Sequence, residues 1–246
     1  MTTTTDTPTI VLVHGGFADA SFWVPVIKEL QASDLPVLAP ANPLRGLAHD
    51  AEYVASVVNQ IDGPVLLVGH SYGGAVISVA GAAADNVVGL VYVAAFALDE
   101  GESFAEIFER YGPTPLMDAV RPSNYPTDDG GTAVELTIAP ELYRSAFAAD
   151  VPSDLTEVLA VSQRPFAAIF DDRAQAAAWK TLPSWAVVAT ADNAIPPDGE
   201  RHMAARAGAQ TVEVDASHSI ALSQPRAVAD LIRTAVAGVS AEAVTA

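Results

Sequence analysis

The sequence predicts an α/β fold, a mostly parallel sheet of six strands flanked by helices, with a helical cap inserted at about residues 97–180. Three observations predict it. Short β-branched runs alternate with longer helical patterns up to Ala95, the signature of parallel strands joined by crossover helices. That rhythm breaks at Phe96 and returns at Trp185. A chain of 246 residues, 50% of them hydrophobic, suffices for one core, so residues 1–246 are expected to form a single domain.

Ile10 to His14, Val37 to Ala39, Val65 to Gly69 and Val87 to Ala94 read as strands buried on both faces, because their apolar runs are nearly continuous. Ser21 to Ala32, Ala48 to Ile61 and Gly73 to Ala84 carry helical patterns between them. From Phe96 to Lys180 the chain is punctuated by Gly112-Pro113, Asp129-Gly130-Gly131 and Ala139-Pro140, with helix-like patches and no convincing buried strand. A segment of that size is too long for a plain loop, hence the expected cap. Trp185 to Ala191 reads as a strand, and Pro196 to Ala207 as a helix with proline in its first turn and Gly208 at its end. Gln210 to Val214 supplies the sixth strand and Gln224 to Ala237 a closing amphipathic helix; the Ala-rich tail after Gly238 is expected to fray.

The formal charge of -18, from 30 acidic against 12 basic residues, repels phosphates and anionic head groups, which argues against nucleic acid and membrane as partners. No run approaches the roughly 18 apolar residues that a membrane helix needs. Met1 to Thr9 lacks a basic and apolar leader pattern, so the cytoplasm is the default expectation. With no cysteine there is neither disulfide nor thiolate nucleophile, and no His or carboxylate spacing suggests a metal site. No cofactor is expected. The oligomeric state stays open, a homodimer among the options.

Gly69-His70-Ser71-Tyr72-Gly73-Gly74 follows one strand directly and opens a helix. This is the context a G-x-S-x-G nucleophile elbow requires, with the serine strained at the apex and glycines where strand and helix approach. The elbow, the His14-Gly15-Gly16 turn and the late His218 resemble the α/β-hydrolase superfamily over essentially the whole chain. The layout is most similar to the plant-type esterase and hydroxynitrile lyase branch and its bacterial relatives, where a short cap holds a segment like Ser153-Asp154-Leu155 leading to Gln163-Arg164-Pro165.

A neutral serine needs a base within hydrogen-bond reach and a third group to orient that base. His218, just after a strand ending at Val214, falls at the carboxyl edge of the sheet and is the expected base. His14 and His70 are expected to be structural, His49 and His202 solvated. Asp192 follows a strand and precedes His218 by one helix and one strand; strand ends two positions along the sheet would bring the pair together. Asp215 is its rival. The resemblance implies the same Ser, Asp, His order, and an oxyanion hole made by the backbone N–H groups of Gly16 and Tyr72, with Phe17 the next candidate donor. Phe17, Phe96 and Phe166 are the expected substrate contacts, within a larger aromatic and apolar set of Phe104, Phe108, Tyr111, Leu116, Tyr125 and Phe147.

The expected function is hydrolysis of small to medium apolar esters or lactones through an acyl-enzyme, the partner being a small-molecule ester. An uncharged His218 implies an optimum at neutral pH or above. Two alternatives remain. Cyanohydrin cleavage is disfavoured because the threonine and lysine which that branch of lyases carries are replaced by Gly15 and Ser219. A small-molecule receptor that merely retains the triad would show tight binding without turnover.

Overall fold

The computed structural model describes residues 7–127 and 129–245, and side chains as far as residue 241. The reading of the N-terminal leader lies largely outside them. Strand β1 (Thr9–Val13) leads through a 3-10 turn at Ala20–Trp23, capped by Asp19 accepting from the Ser21 amide, into α1 (Val24–Gln31). The single helix expected at Ser21 to Ala32 is thus two pieces. Pro25 explains the restart, since proline fits the first turn of a helix and not its interior. Next come β2 (Val37–Leu38), α2 (Leu47–Val58), β3 (Val65–Ser71), α3 (Tyr72–Ala80) and β4 (Val87–Ala95).

The cap holds α4 (Phe104–Tyr111), α5 (Pro115–Ala119), α6 (Pro140–Phe147) and α7 (Ser153–Val161), as its helix-like patches suggest. It also holds a sheet that the sequence reading does not foresee, β5 (Val120–Pro126), β6 (Thr132–Ile138) and β7 (Phe166–Ala167), all antiparallel. The reason is physical: β5 is largely exposed and carries Pro122 and Pro126, which demote a strand pattern, and β7 is two residues long. After the cap, β8 (Ser184–Ala189), α8 (Pro197–Arg206), β9 (Gln210–Val214), α9 (Ile220–Ser223) and α10 (Pro225–Thr245) complete the chain. Helix α10 runs through the tail expected to fray. Gly238 lets it lie against Trp185, since a Cβ there would stand 2.6 Å from the indole, and alanine favours the helix beyond.

The main sheet has six parallel strands in the order β2-β1-β3-β4-β8-β9. Strand β3 is buried throughout and β4 nearly so, as their apolar runs demand; β2, at the edge, is two residues long and partly exposed, against the expectation of full burial. One face packs on Trp23, Leu30 and Ile232 from the side of α1 and α10, the other on Val54, Val76 and Met203 from α2, α3 and α8. A third cluster joins cap to core: Phe17 and Ala194, from loops at the carboxyl end of the sheet, pack with Ile138, Tyr143, Phe147 and Val151. Among the described residues no helix is long and apolar enough to cross a membrane.

The glycines of the elbow show why a strand can meet a helix here. A Cβ on Gly69 would lie 2.5 Å from the Gly73 carbonyl oxygen, and one on Gly74 2.5 Å from that of Phe96. At Gly73 it would collide with the backbone oxygen of Val13, which no rotamer change relieves. Gly73→Ala is therefore expected to cost about 3 kcal/mol or more, read as a lower urea midpoint. An unchanged midpoint would show that the crossover has slack.

Candidate active site

Ser71 ends β3 at φ 55° and ψ -123°, a conformation that L side chains rarely adopt and that costs on the order of 1–3 kcal/mol. It is held there: the Ser71 carbonyl accepts from the Phe96 amide at 3.1 Å, and Gly15 lies so close that a Cβ would stand 2.6 Å from Ser71 Cβ. Ser71 also precedes the first turn of α3, whose unpaired amides and dipole favour negative charge. Tyr72 is the first residue of that turn, and Gly16 follows Gly15 in the chain and faces the Phe166 ring.

His218 lies in the loop after β9 and Asp192 in the loop after β8. These strands pair directly rather than standing two positions apart. His218 Nδ1 and Asp192 Oδ2 are 2.5 Å apart, both side chains shielded from solvent. Asp192 Oδ1 accepts from the amides of Ala194 at 2.6 Å and Ile195 at 2.8 Å, which orients the carboxylate. His218 Nε2 is buried and has no hydrogen-bond partner among the described residues. The rival Asp215 is exposed.

The histidine loop is tied from three sides. Ser217 donates to Asp150, and the amide and hydroxyl of Ser219 both donate to the Phe147 carbonyl, at 3.1 and 2.8 Å. His70 Nε2 lies 2.9 Å from the His218 carbonyl oxygen, so that nitrogen carries the proton. His70 stacks on Phe22 with centroids 4.3 Å apart, and burial holds its pKa well below the usual value. His14 donates from Nδ1 to the Gly15 carbonyl and accepts at Nε2 from the Asn42 amide, shaping the turn that carries Gly16. Burial brings its pKa down to about 4. Both are scaffold histidines; His49 is exposed, and His202 is half-buried beside Tyr111.

His14 gives stability a measurable pH dependence. The folded pKa lies below that of the unfolded chain, so the contribution is complete above pH 6.5 and lost as the pH falls toward 4. A His14→Asn variant should lack this loss. The stability advantage of the parent over it should shrink by about 1.4 kcal/mol per pH unit across that window. Equal differences in urea unfolding at pH 7.5 and pH 5 would contradict the assignment.

Beside the elbow lies a pocket of about 510 Å³, counting its mouth. Phe17, Phe96 and Phe166, the three expected contacts, line it, together with Tyr72, Phe104 and Phe108. Leu116 contributes as well, whereas Tyr111 packs on His202, Tyr125 lies under Arg45, and Phe147 stands edge-on to the His218 ring. Among the described residues no charged side chain lines it.

Sequence reasoning missed Asp50. This buried carboxylate accepts from the Tyr72 hydroxyl at 2.7 Å and from the Arg45 amide, fixing the residue next to Ser71. A signal was there: Asp50 shares the inner face of α2 with Leu47, Ala51 and Val54. Among the described residues no group of three His, Cys, Asp or Glu side chains is placed to hold a metal ion.

A hydroxyl on a strained turn and an imidazole with one nitrogen on a carboxylate and the other unengaged stand at the same carboxyl edge of the sheet, although no hydrogen bond joins Ser71 Oγ to His218 Nε2 among the described residues; brought within reach of each other, such groups can transfer an acyl group. The family model described as alpha/beta hydrolase family matches residues 10–231. The chain belongs to that family. Its relatives fall where the layout of elbow, turn and cap placed it, among plant-type esterases and bacterial counterparts. A chloroplastic protein of Arabidopsis thaliana named as methylesterase 11 is 26% identical over 92% of this chain; the chain spans 63% of that relative's length. In structure, this alpha/beta hydrolase resembles polyneuridine aldehyde esterase, with a TM-score of 0.80 and 23% identity over 94% of this chain and 100% of that one. It also resembles a pyrethroid hydrolase from Sphingobium faniae JZ-2, with a TM-score of 0.77 and 22% identity over 93% and 97%.

Proposed function

We propose that the chain is a carboxylic-ester hydrolase working through an acyl-enzyme, with Ser71 as nucleophile, His218 as base and Asp192 as the group that orients it. The observation that carries this is the His218 imidazole itself: Nδ1 is engaged by Asp192 while Nε2, buried at the same edge of the sheet as the elbow, is free. Ser71 Oγ attacks the carbonyl carbon as Nε2 takes its proton. The C–O bond to the alcohol then breaks and the proton passes to the leaving oxygen. Water, activated by the same nitrogen, releases the acid. The backbone N–H groups of Gly16 and Tyr72 hold the oxyanion, each contributing about 3 kcal/mol.

The substrate is an uncharged ester with a bulky apolar or aromatic group. A charge in a pocket with no ionic side chain would lose its hydration without a partner, at a cost of several kcal/mol. The relatives named methylesterase, polyneuridine aldehyde esterase and pyrethroid hydrolase support ester cleavage. Residues 97–180 act as the cap of one domain. Cyanohydrin cleavage has less support: Ser219 spends its hydroxyl on Phe147, and Gly15 has no space for a Cβ, let alone a threonine side chain. A fluorophosphonate probe should modify one residue, Ser71, found by peptide mapping, and the His218→Ala protein should react far more slowly. Labelling elsewhere, or labelling indifferent to His218, would count against the proposal.

A further inference from the structure

Among the described residues neither Ser71 nor His218 lines the pocket beside the elbow, and both are buried. An ester seated in that pocket reaches the serine past walls that also belong to, or touch, the elbow and the turn facing it. Tyr72 is one such wall: it follows the serine in the chain, and its hydroxyl is fixed by Asp50 at 2.7 Å. Phe17 is another, following Gly16 at φ 62° with its ring edge-on to Phe147. Phe166 comes from the cap. A Cβ on Gly16 would stand 2.9 Å from Cδ1 and 3.0 Å from Cγ of the Phe166 ring, so the ring lies in van der Waals contact with the Gly16 backbone.

That ring meets Tyr72 at 4.7 Å between centroids and Phe17 at 5.6 Å. The His218 imidazole has other neighbours, Phe147 at 4.8 Å and His70 at 4.7 Å. In the proposed mechanism the leaving oxygen must stand within reach of His218 Nε2 to take its proton, so the acyl part of the ester is the part that faces Phe166. Gly15, beside Gly16 in the chain, is pressed against Ser71 Cβ. The ring therefore takes up space next to the acyl carbon, and the rest of the pocket, about 510 Å³ with its mouth, opens past it. Phe166 is partly exposed, whereas Phe17 and Tyr72 are buried, and it sits on a strand of two residues paired along one edge. It can lean away from a slender chain. Making room for a branched one means giving up its packing on Gly16 and Tyr72.

We propose that Phe166 is a specificity-determining residue: its ring against Gly16 admits an acyl group that is unbranched beside the carbonyl and rejects one branched at that carbon. The proposal rests on the ester-hydrolase reading given above. It narrows the substrate class to esters whose apolar or aromatic bulk is joined to the carbonyl through a methylene chain, with the bulk further out in the pocket. One misfitted methylene at a packed wall is worth about 10- to 200-fold in kcat/KM.

Two isomeric esters test it, p-nitrophenyl pentanoate and p-nitrophenyl pivalate, which share a leaving group and differ in branching beside the carbonyl. The parent should favour the pentanoate. Phe166→Ala should lower that preference, the ratio of the two kcat/KM values, by about tenfold or more through a gain on the pivalate, and Phe166→Leu by a smaller factor. Intrinsic reactivity cancels, since parent and variant meet the same two esters. A ring that only supports the fold would cost both rates together, so an unchanged ratio in folded Phe166→Ala overturns the proposal; should that variant not fold, the ratio in Phe166→Leu decides alone. Binding separates this from the hydrolase reading. In the Ser71→Ala background, where no turnover is needed, valerophenone and pivalophenone stand in for the two acyl groups, and Phe166→Ala should shift the ratio of their dissociation constants in the same direction. If the parent cleaves neither ester while that ratio shifts, the ester-hydrolase reading falls and the role of Phe166 stands. A binding ratio that does not move overturns that role, whether or not esters are cleaved.

Discussion

Ser71→Ala should lower kcat/KM on a short p-nitrophenyl ester by on the order of 10⁴- to 10⁶-fold, with little change in KM. In the proposed mechanism the hydroxyl is the group that forms the new bond, so its loss would leave only the proposed oxyanion donors and the pocket to help water attack. Binding should persist, because the pocket walls belong to Phe17, Phe96 and Phe166 rather than to the serine. The fold should persist as well. Ser71 accepts from Phe96 through its backbone carbonyl, and alanine tolerates φ 55° no worse than serine does. A variant that keeps a tenth of the parent rate, folded and free of contaminating parent, would remove Ser71 from the chemistry.

Asp192→Asn should lower kcat by about 10⁴-fold at neutral pH. The carboxylate fixes the His218 tautomer by accepting from Nδ1 at 2.5 Å, which leaves Nε2 as the acceptor nitrogen. An amide at that position can present its NH2 to Nδ1. The proton then moves to Nε2, and the base becomes a donor. The Ala194 and Ile195 amides, now facing a weaker acceptor, add a loss of stability of about 1 kcal/mol. Part of the activity should return at high pH, where hydroxide replaces the base. A rate within tenfold of the parent at pH 7 would mean that Asp192 only braces the loop.

The legible parts of this fold are those where one physical requirement dictates residue type. Gly69, Gly73 and Gly74 stand where backbone meets backbone, so the elbow shows in the sequence as glycine spacing. The continuous runs of β3 and β4 show because both faces are covered. His218 and Asp192 were legible through their places after strands, and the structure brings them together through neighbouring strands. The cap sheet was not, because its strands are short, partly exposed and broken by proline, where solvent rather than packing sets residue choice. Asp50 and Glu200 escaped for another reason. A lone acidic residue on a helix reads as surface until the opposing element is known, and here what opposes them is the Tyr72 hydroxyl for Asp50 and the Ala189 amide at the end of β8 for Glu200.

The central claim is that acyl transfer passes through the oxygen of Ser71. Rapid mixing with a p-nitrophenyl ester, an acid quench within the first turnover and peptide mapping tests it most directly. The account predicts a burst of nitrophenol near one per protein, with the acyl group on the peptide that contains Ser71. Full turnover with that serine unmodified at every quench time would contradict it.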